Sequence, residues 1–148
     1  MTFVRQLLQG KPAEVWTIGP RDMVYKALEL MAEKNVGALP VVDAGAGGDL
    51  VGIFSERDYA RKLILKGKSS QATAVGELMS HPVICVSPDD TLEICMELMT
   101  TQRVRHLPVC DGGRLAGMVS IGDVLKAVIA NQQVLIKDLE KYIIGDRA

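Results

Sequence analysis

Shifted by 68 positions, the stretch VWTIGPRDMVYKALELMAEKNVGALPVVD (15–43) lies on VICVSPDDTLEICMELMTTQRVRHLPVCD (83–111) without a gap. Val15 meets Val83, Pro20 meets Pro88, Met31 meets Met99 and Pro40 meets Pro108. Past Asp43 the first copy carries AGAGGD where the second has GGR. The offset then becomes 65, and LVGIFSERD (50–58) falls on LAGMVSIGD (115–123). An internal duplication dictates architecture before any residue-level reading: 148 residues divide into two copies of one unit. Each copy is too small to bury much core alone, so the two are expected to pack against each other.

Within each copy the pattern reads strand, helix, strand, turn, strand, helix. VWTI and VICV are β-branched and apolar, and Gly19-Pro20 or Ser87-Pro88 closes them. A helix follows Asp22 or Asp90 as its N-cap region. Its apolar stripe is Val24, Ala27, Leu28 and Met31 in one copy and Leu92, Cys95, Met96 and Met99 in the other. GALPVVD and RHLPVCD enter a Gly-rich hairpin, with LVGIF and RLAGMV returning, and ERDYARKLILKG and IGDVLKAVIANQ form second helices. The expected fold class is α/β (α+β), two pseudo-twofold related units, each a three-stranded sheet with two helices, packed sheet to sheet. The expected order along the chain is an N-terminal helical segment (1–14), repeat one (15–67), connector and short helix (68–82), repeat two (83–130) and a C-terminal helix (131–148). The connector helix VGELMSH should dock Leu78 and Met79 on the sheet. TFVRQLL and VLIKDLEKYII are amphipathic and are expected to cover a dimer interface or meet a partner, with KDLEK as a solvated face.

A net charge of −1 argues against nucleic-acid binding. No apolar run approaches the roughly 20 residues of a membrane span, MTFVRQLLQGK is too polar and short for a signal peptide, and the expected compartment is the cytoplasm. Cys85, Cys95 and Cys110 form no CxxC pair, which suggests neither a disulfide framework nor a zinc site, and they read as small core residues. No HExxH, GxxxxGK[ST] or GxGxxG occurs, and His81 and His106 are the only histidines, so the chain reads as non-catalytic with no metal.

What remains unexplained is the order GP or SP, a helix ending in LM, LPVV or LPVC with Asp, then G-h-h-S-x-x-D, all of it twice. From about Val15 to Ala130 this resembles the cystathionine-β-synthase (CBS) domain, which occurs in tandem pairs called Bateman modules. The FSERDYARK stretch is similar to that of stand-alone bacterial and organellar proteins made of one such pair. The resemblance implies a regulatory module for signal transduction that binds adenosine ligands in clefts between its repeats and associates as a homodimer. It implies that the Asp of Ser-x-x-Asp accepts hydrogen bonds from ribose hydroxyls, while the Ser contacts ribose or phosphate. The same four residues also form a capping box, and both roles can coexist.

Carried onto this chain, the first and stronger nucleotide site comprises Thr17, Val36, Ala38 and Pro40 around adenine, then Ser55, Arg57 and Asp58, with Arg103, Arg105 and His106 for phosphate. The second, weaker one comprises Cys85, Val104, His106 and Pro108 with Ser120 and Asp123. The ranking comes from the position before LPV, where repeat two has Arg103, Arg105 and His106 and repeat one has Asn35, Gly37 and Ala38. Asp58 should therefore partner Arg105 and His106. Asp123 faces neutral Gly37 and Ala38 unless Arg57, Arg21 or Lys11 reaches in. His106 would add charge as pH nears about 6.5; Trp16 reads as packing. The basic cluster favours AMP or NAD(H), followed by ADP and ATP, with S-adenosylmethionine behind them. The alternative is a ligand-independent adaptor regulating a partner enzyme in trans, for example a thioredoxin-type redox protein.

Overall fold

Apolar spacing repeated along the chain becomes two similar units in the computed structural model, which describes residues 1–12 and 14–146. The elements are α1 (Val4–Leu7), α2 (Val24–Lys34), β1 (Ala38–Asp43), β2 (Asp49–Ser55) and α3 (Glu56–Asp58), which runs on as a π-helical stretch, Tyr59–Ile64. After these come α4 (Val75–Leu78), α5 (Leu92–Thr101), β3 (His106–Asp111), β4 (Arg114–Ser120) and α6 (Ile121–Asp146). β1 pairs antiparallel with β2 and β3 with β4, in matching register: Leu39 lies opposite Phe54, and Leu107 opposite Val119. The longer loop of repeat one absorbs its extra residues in a 3-10 turn, Ala44–Ala46. Repeat two turns on Gly112 and Gly113 alone, at φ 58 and 83, a left-handed pair that glycine adopts without strain.

The expected first strands contract to one parallel bridge each, Ile18 to Val41 and Val86 to Val109. Pro20 and Pro88 follow two residues later and have no N–H with which to extend a ladder. The acids expected at the helix starts also act one step earlier. Asp22 Oδ2 accepts the Gly19 N–H at 2.9 Å and Asp90 Oδ2 that of Ser87 at 2.8 Å, bracing the proline turns, while Met23 and Thr91 occupy the N-cap positions.

Two cores form. In repeat one, Val24, Ala27 and Met31 pack on Leu39, Val41, Phe54 and Leu63, and Val75 and Leu78 of α4 complete the cluster. In repeat two, Leu92, Cys95 and Met99 pack on Leu107, Val109, Val119 and Val124, and Val4 and Leu7 of α1 complete it. Each unit is thus closed by the segment that precedes it, and α1 matches α4 at an offset of 71. Backbone bonds repeat as faithfully. Val24 N donates to Thr73 O and Val75 N to Asp22 O; in repeat two Leu92 N donates to Thr2 O and Val4 N to Asp90 O. Leu8 and Met79 lie over the glycines that open the strand-to-helix joints. A Cβ on Gly117 would sit 2.8 Å from Leu8 Cδ2, and one on Gly52 2.5 Å from Met79 Sδ. The N-terminal segment, expected to cover a dimer interface or meet a partner, packs Val4 and Leu7 into the core of its own chain and leaves Arg5 and Gln6 exposed.

No break falls at residues 130/131, because the second helix of repeat two and the C-terminal segment form one 26-residue helix, α6. Val124 is buried, but from residue 131 to 144 every side chain is exposed. Among the described residues no helix is long and apolar enough to cross a membrane.

Candidate functional site

Where the halves meet, a cavity of about 680 Å³ is lined from three directions. Leu8 to Pro12 and Glu14 to Trp16 come from the stretch before repeat one. Lys34 to Ala38 and Pro40 come from the end of α2 and the start of β1. His106, Ala116 to Met118 and Ser120 come from β3 and β4. Asn35, the left-handed C-cap of α2 at φ 55, turns the chain so that Val36 and Ala38 face this space. Trp16 presents a flat ring, with the Lys34 ammonium 4.2 Å from its centroid. The lining thus combines apolar Trp16, Val36, Ala38, Pro40 and Met118 with polar Lys11, His106 and Ser120.

At Ser120, on the cavity lining, the second Ser-x-x-Asp closes a capping box. Ser120 Oγ accepts the Asp123 N–H at 3.2 Å, and Asp123 Oδ2 accepts the Ser120 N–H at 2.9 Å. Lys11 Nζ donates to Asp123 Oδ2 and to the Met118 carbonyl, both at 2.7 Å. Burial pushes the Asp123 carboxyl up, but the Lys11 hydrogen bond, the Ser120 N–H and the Lys11 charge together hold it below the ordinary range. These bonds all fall on Oδ2, and among the described residues Oδ1 takes none. The Asp123 side chain is 18% exposed.

The first Ser-x-x-Asp is spent internally. Asp58 Oδ1 accepts from Ser80 Oγ at 3.0 Å and Lys62 Nζ at 2.9 Å, and Oδ2 accepts from the Ser55 N–H at 3.0 Å and Ser55 Oγ at 3.1 Å. Asp58 is 6% exposed, which leaves little room for a hydroxyl. Asp123 thus keeps Oδ1 free of bonds among the described residues, whereas both oxygens of Asp58 are taken.

The expected residue groups are also redistributed. Val36, Ala38 and Pro40 share their cavity with His106 and Ser120 rather than with Ser55 and Asp58, because the start of β1 faces the joint of the other repeat. Thr17 lies instead in a shallower cavity of about 550 Å³ with Ile18, Asp22 and Glu33, since neighbours in extended chain point to opposite sides. Arg57 Nη1 donates to the Arg103 carbonyl at 3.2 Å, tying the repeats together. Arg103 takes the left-handed conformation of Asn35, its equivalent, at φ 54. Arg105 is exposed and lies outside the lining of the large cavity. Val104 packs against the core of repeat two, and Pro108 is buried in β3. Cys85, expected as core, is exposed and touches Cys110 with 3.5 Å between sulfurs. Partial desolvation and the Cys110 neighbour push its thiol up to about 11, which keeps it protonated. Lys11 and Trp16 are the cavity residues that sequence reasoning undervalued. Sequence reasoning names Lys11 only beside Arg57 and Arg21 as a residue that could reach in, and it is the one bonded to Asp123.

His106 is neutral near pH 7 rather than a source of charge. Burial depresses its pKa first, the charges of Lys11 and Arg105 add to that, and Asp123 opposes them. In the unfolded chain the imidazole takes a proton near pH 6.5, whereas in the fold it does so only lower. The stability contributed by His106 is thus complete above about pH 6.5 and declines as the pH falls below it. An NMR titration should give His106 a midpoint under 6.5; a midpoint at or above that value would contradict the packing described.

The CBS domain family matches residues 11–65 and 75–130. The chain is 44% identical over 126 residues to the CBS domain-containing protein CBSX3, mitochondrial, of Arabidopsis thaliana, covering 84% of this chain and 61% of that protein. It therefore spans less than two thirds of that relative's length. A putative signal-transduction protein with CBS domains from Burkholderia ambifaria has a similar structure, with a TM-score of 0.83 and 51% identity over 88% of this chain and 96% of that one. CBSX2 in complex with AMP aligns with a TM-score of 0.70 and 30% identity, covering 89% of this chain and 99% of that one.

Proposed function

Because the chain belongs to the CBS-domain family, with two copies in tandem, we propose that it is a non-catalytic adenine-nucleotide sensor whose ligand enters the crevice between the repeats. The observation that carries this reading is one cavity built from both repeats, in which apolar side chains and a flat ring meet Lys11 and Ser120, the partners of a carboxylate, Asp123, that keeps one oxygen open. Adenine fits between Trp16, Val36, Ala38, Pro40 and Met118, and the ribose diol reaches Asp123, an acceptor without a donor of its own. A homologous CBS pair crystallised with AMP supports the ligand class. AMP ranks first, ADP, ATP and NAD(H) extend the same phosphate, and S-adenosylmethionine ranks behind them. Ligand shared between two repeats shifts the equilibrium between their packings by its differential affinity for them. Titration calorimetry of the full chain with AMP tests the reading: saturable binding supports it, and no heat at millimolar AMP sinks it.

The output surface is α6. Leu125, Ile129, Ile136, Leu139 and Ile143 recur at spacings of three, four or seven on one side, with Lys137 and Lys141 off that line. Their exposure runs from 53% to 54%, an apolar face that α6 does not cover within the chain. Isoleucine and leucine alternating at heptad positions suit a second copy of the same helix, so the chain is proposed to act as a homodimer. Removal of residues 131–148 should convert a dimer to a monomer in light scattering. An unchanged dimer would place the interface elsewhere, and a monomeric full chain would assign α6 to another protein. The proposed compartment is the cytoplasm, although the Arabidopsis relative is named mitochondrial; fractionation of the source cells decides between them.

A further inference from the structure

Two of the three cysteines meet on the outer face of repeat two. The extended segment before Pro88 runs beside β3, held by the Val86 N–H on the Pro108 carbonyl and the Cys110 N–H on the Val86 carbonyl, both at 2.9 Å. Val86 and Val109, paired across that bridge, are buried in the core. Side chains of extended chain alternate, so their neighbours Cys85 and Cys110 point away from it. Their sulfurs lie 3.5 Å apart, Cys85 exposed and Cys110 half-buried, and both are free thiols. A disulfide needs about 2.05 Å, so the sulfurs have about 1.5 Å to close, which rotation about the two Cα–Cβ bonds supplies while the backbone stays bonded. Cys95 is fully buried in α5 and cannot compete for either sulfur. Repeat one has Thr17 and Val42 at the two equivalent positions, so its fold is reached without such a pair.

We propose that Cys85 and Cys110 are a modification site that closes to a reversible disulfide when a small-molecule disulfide is the oxidant, a covalent clamp on repeat two that repeat one lacks. Neither cysteine lines the large cavity, and the proposal is independent of the nucleotide reading. In the first step the thiolate of Cys85, the exposed member, attacks one sulfur of the oxidant. A mixed S–S bond forms, the oxidant's own S–S bond breaks, and the departing thiolate takes up a proton. In the second step the Cys110 thiolate attacks the Cys85 sulfur and expels the other half of the oxidant as a thiol. Both cysteine protons end on the two thiols released, and two electrons pass from the cysteines to the oxidant. Cys85 is held protonated near neutral pH by desolvation and by Cys110, which makes the first step slow there. The bond closes a loop over the 25 positions between the two residues, with α5 inside it, and so restricts the unfolded chain far more than the folded one.

Incubation of the full chain with oxidised glutathione at mildly alkaline pH, followed by alkylation in denaturant and peptide mass spectrometry, tests the proposal. The expected product has lost two hydrogen atoms, leaves Cys95 alone open to alkylation, and yields a linked peptide pair holding Cys85 and Cys110. Its melting temperature should rise by about 5–10 °C and return to the starting value with dithiothreitol. Cys110→Ser should stop at the mixed disulfide, with glutathione kept on Cys85, and show no such rise. Glutathione retained on Cys85 of the wild type, dimers linked through Cys85 in place of the internal bond, or all three cysteines alkylated after treatment would overturn the proposal. An internal bond that leaves the melt unchanged would overturn the clamp and leave only the modification.

Discussion

Deleting residues 1–9 should unfold the second repeat, although those residues precede the first. Val4 is fully buried and Leu7 nearly so in the core of repeat two, among Leu92, Leu107, Val109 and Val119. Fully burying a Val or Leu side chain stabilises by about 1.5–3 kcal/mol. The deletion also strips Leu92 N of its bond to Thr2 O and frees the Asp90 and Pro88 carbonyls that accept from Val4 and Arg5. Together the cost is on the order of 4–8 kcal/mol, a large share of the 5–15 kcal/mol by which a domain of this kind is stable. The expected melt is lowered by roughly 10 °C or more. Hydrogen exchange should accelerate at the amides of Leu107, Val109 and Val119 well beyond that at Leu39, Val41 and Phe54, since repeat one has α4 for its own cover. An unchanged melt, or equal acceleration in both cores, would refute this account of how the units are closed.

That closure was only half legible in the sequence. The duplication announced two matching hairpins and their helices because apolar residues there recur at periods of two and 3.6, and those periods survive substitution of one apolar residue by another. The helix of Leu78 and Met79 was read as docking on the sheet. Its twin, Val4 to Leu8, lay outside the gap-free alignment at an offset of 68, which begins at Val15, and only a separate offset of 71 exposes it. The first strands failed for a local reason, since Val15 to Ile18 and Val83 to Val86 have strand composition but stop at a proline turn after one bridge. Continuity of α6 across 130/131 is readable in retrospect, because no Gly or Pro interrupts Val124 to Ile144.

For the site, residue type was legible and occupancy was not. Both Ser-x-x-Asp motifs form the capping box that the pattern promised. Which carboxylate keeps an oxygen free depends on neighbours at long range: Ser80 and Lys62 take up Asp58, while Lys11 and Ser120 leave Asp123 one acceptor. Basic residues near LPV in repeat two made the first site look stronger. In the fold Arg105 is exposed, His106 is neutral, and the cation that reaches Asp123 is Lys11, from the stretch ahead of Val15. Sequence spacing carries no information on which lysine, a hundred residues away, will arrive at a given acid.

Replacing the two aspartates separately should therefore divide stability from binding. Asp58→Ala leaves the Ser55 and Ser80 hydroxyls and the Lys62 ammonium without their shared acceptor at a site 6% exposed, and should destabilise the fold by about 2–3 kcal/mol. AMP affinity of the remaining folded protein should stay within about twofold of the wild type, a change of under about 0.5 kcal/mol. Asp123→Ala removes the acceptor offered to the ribose diol and the partner of Lys11 in the cavity. Two lost charge-assisted bonds correspond to an affinity loss of about a hundredfold or more. Its stability cost is smaller, about 1 kcal/mol, because Ser120 remains to cap α6 and Asp123 is already open to solvent on one side. Calorimetry with AMP and thermal melts on the same two variants measure both quantities. If Asp58→Ala abolished binding while Asp123→Ala left it intact, the ligand would occupy the cleft beside the first joint, and the cavity around Trp16 and Lys11 would be a packing defect between the repeats.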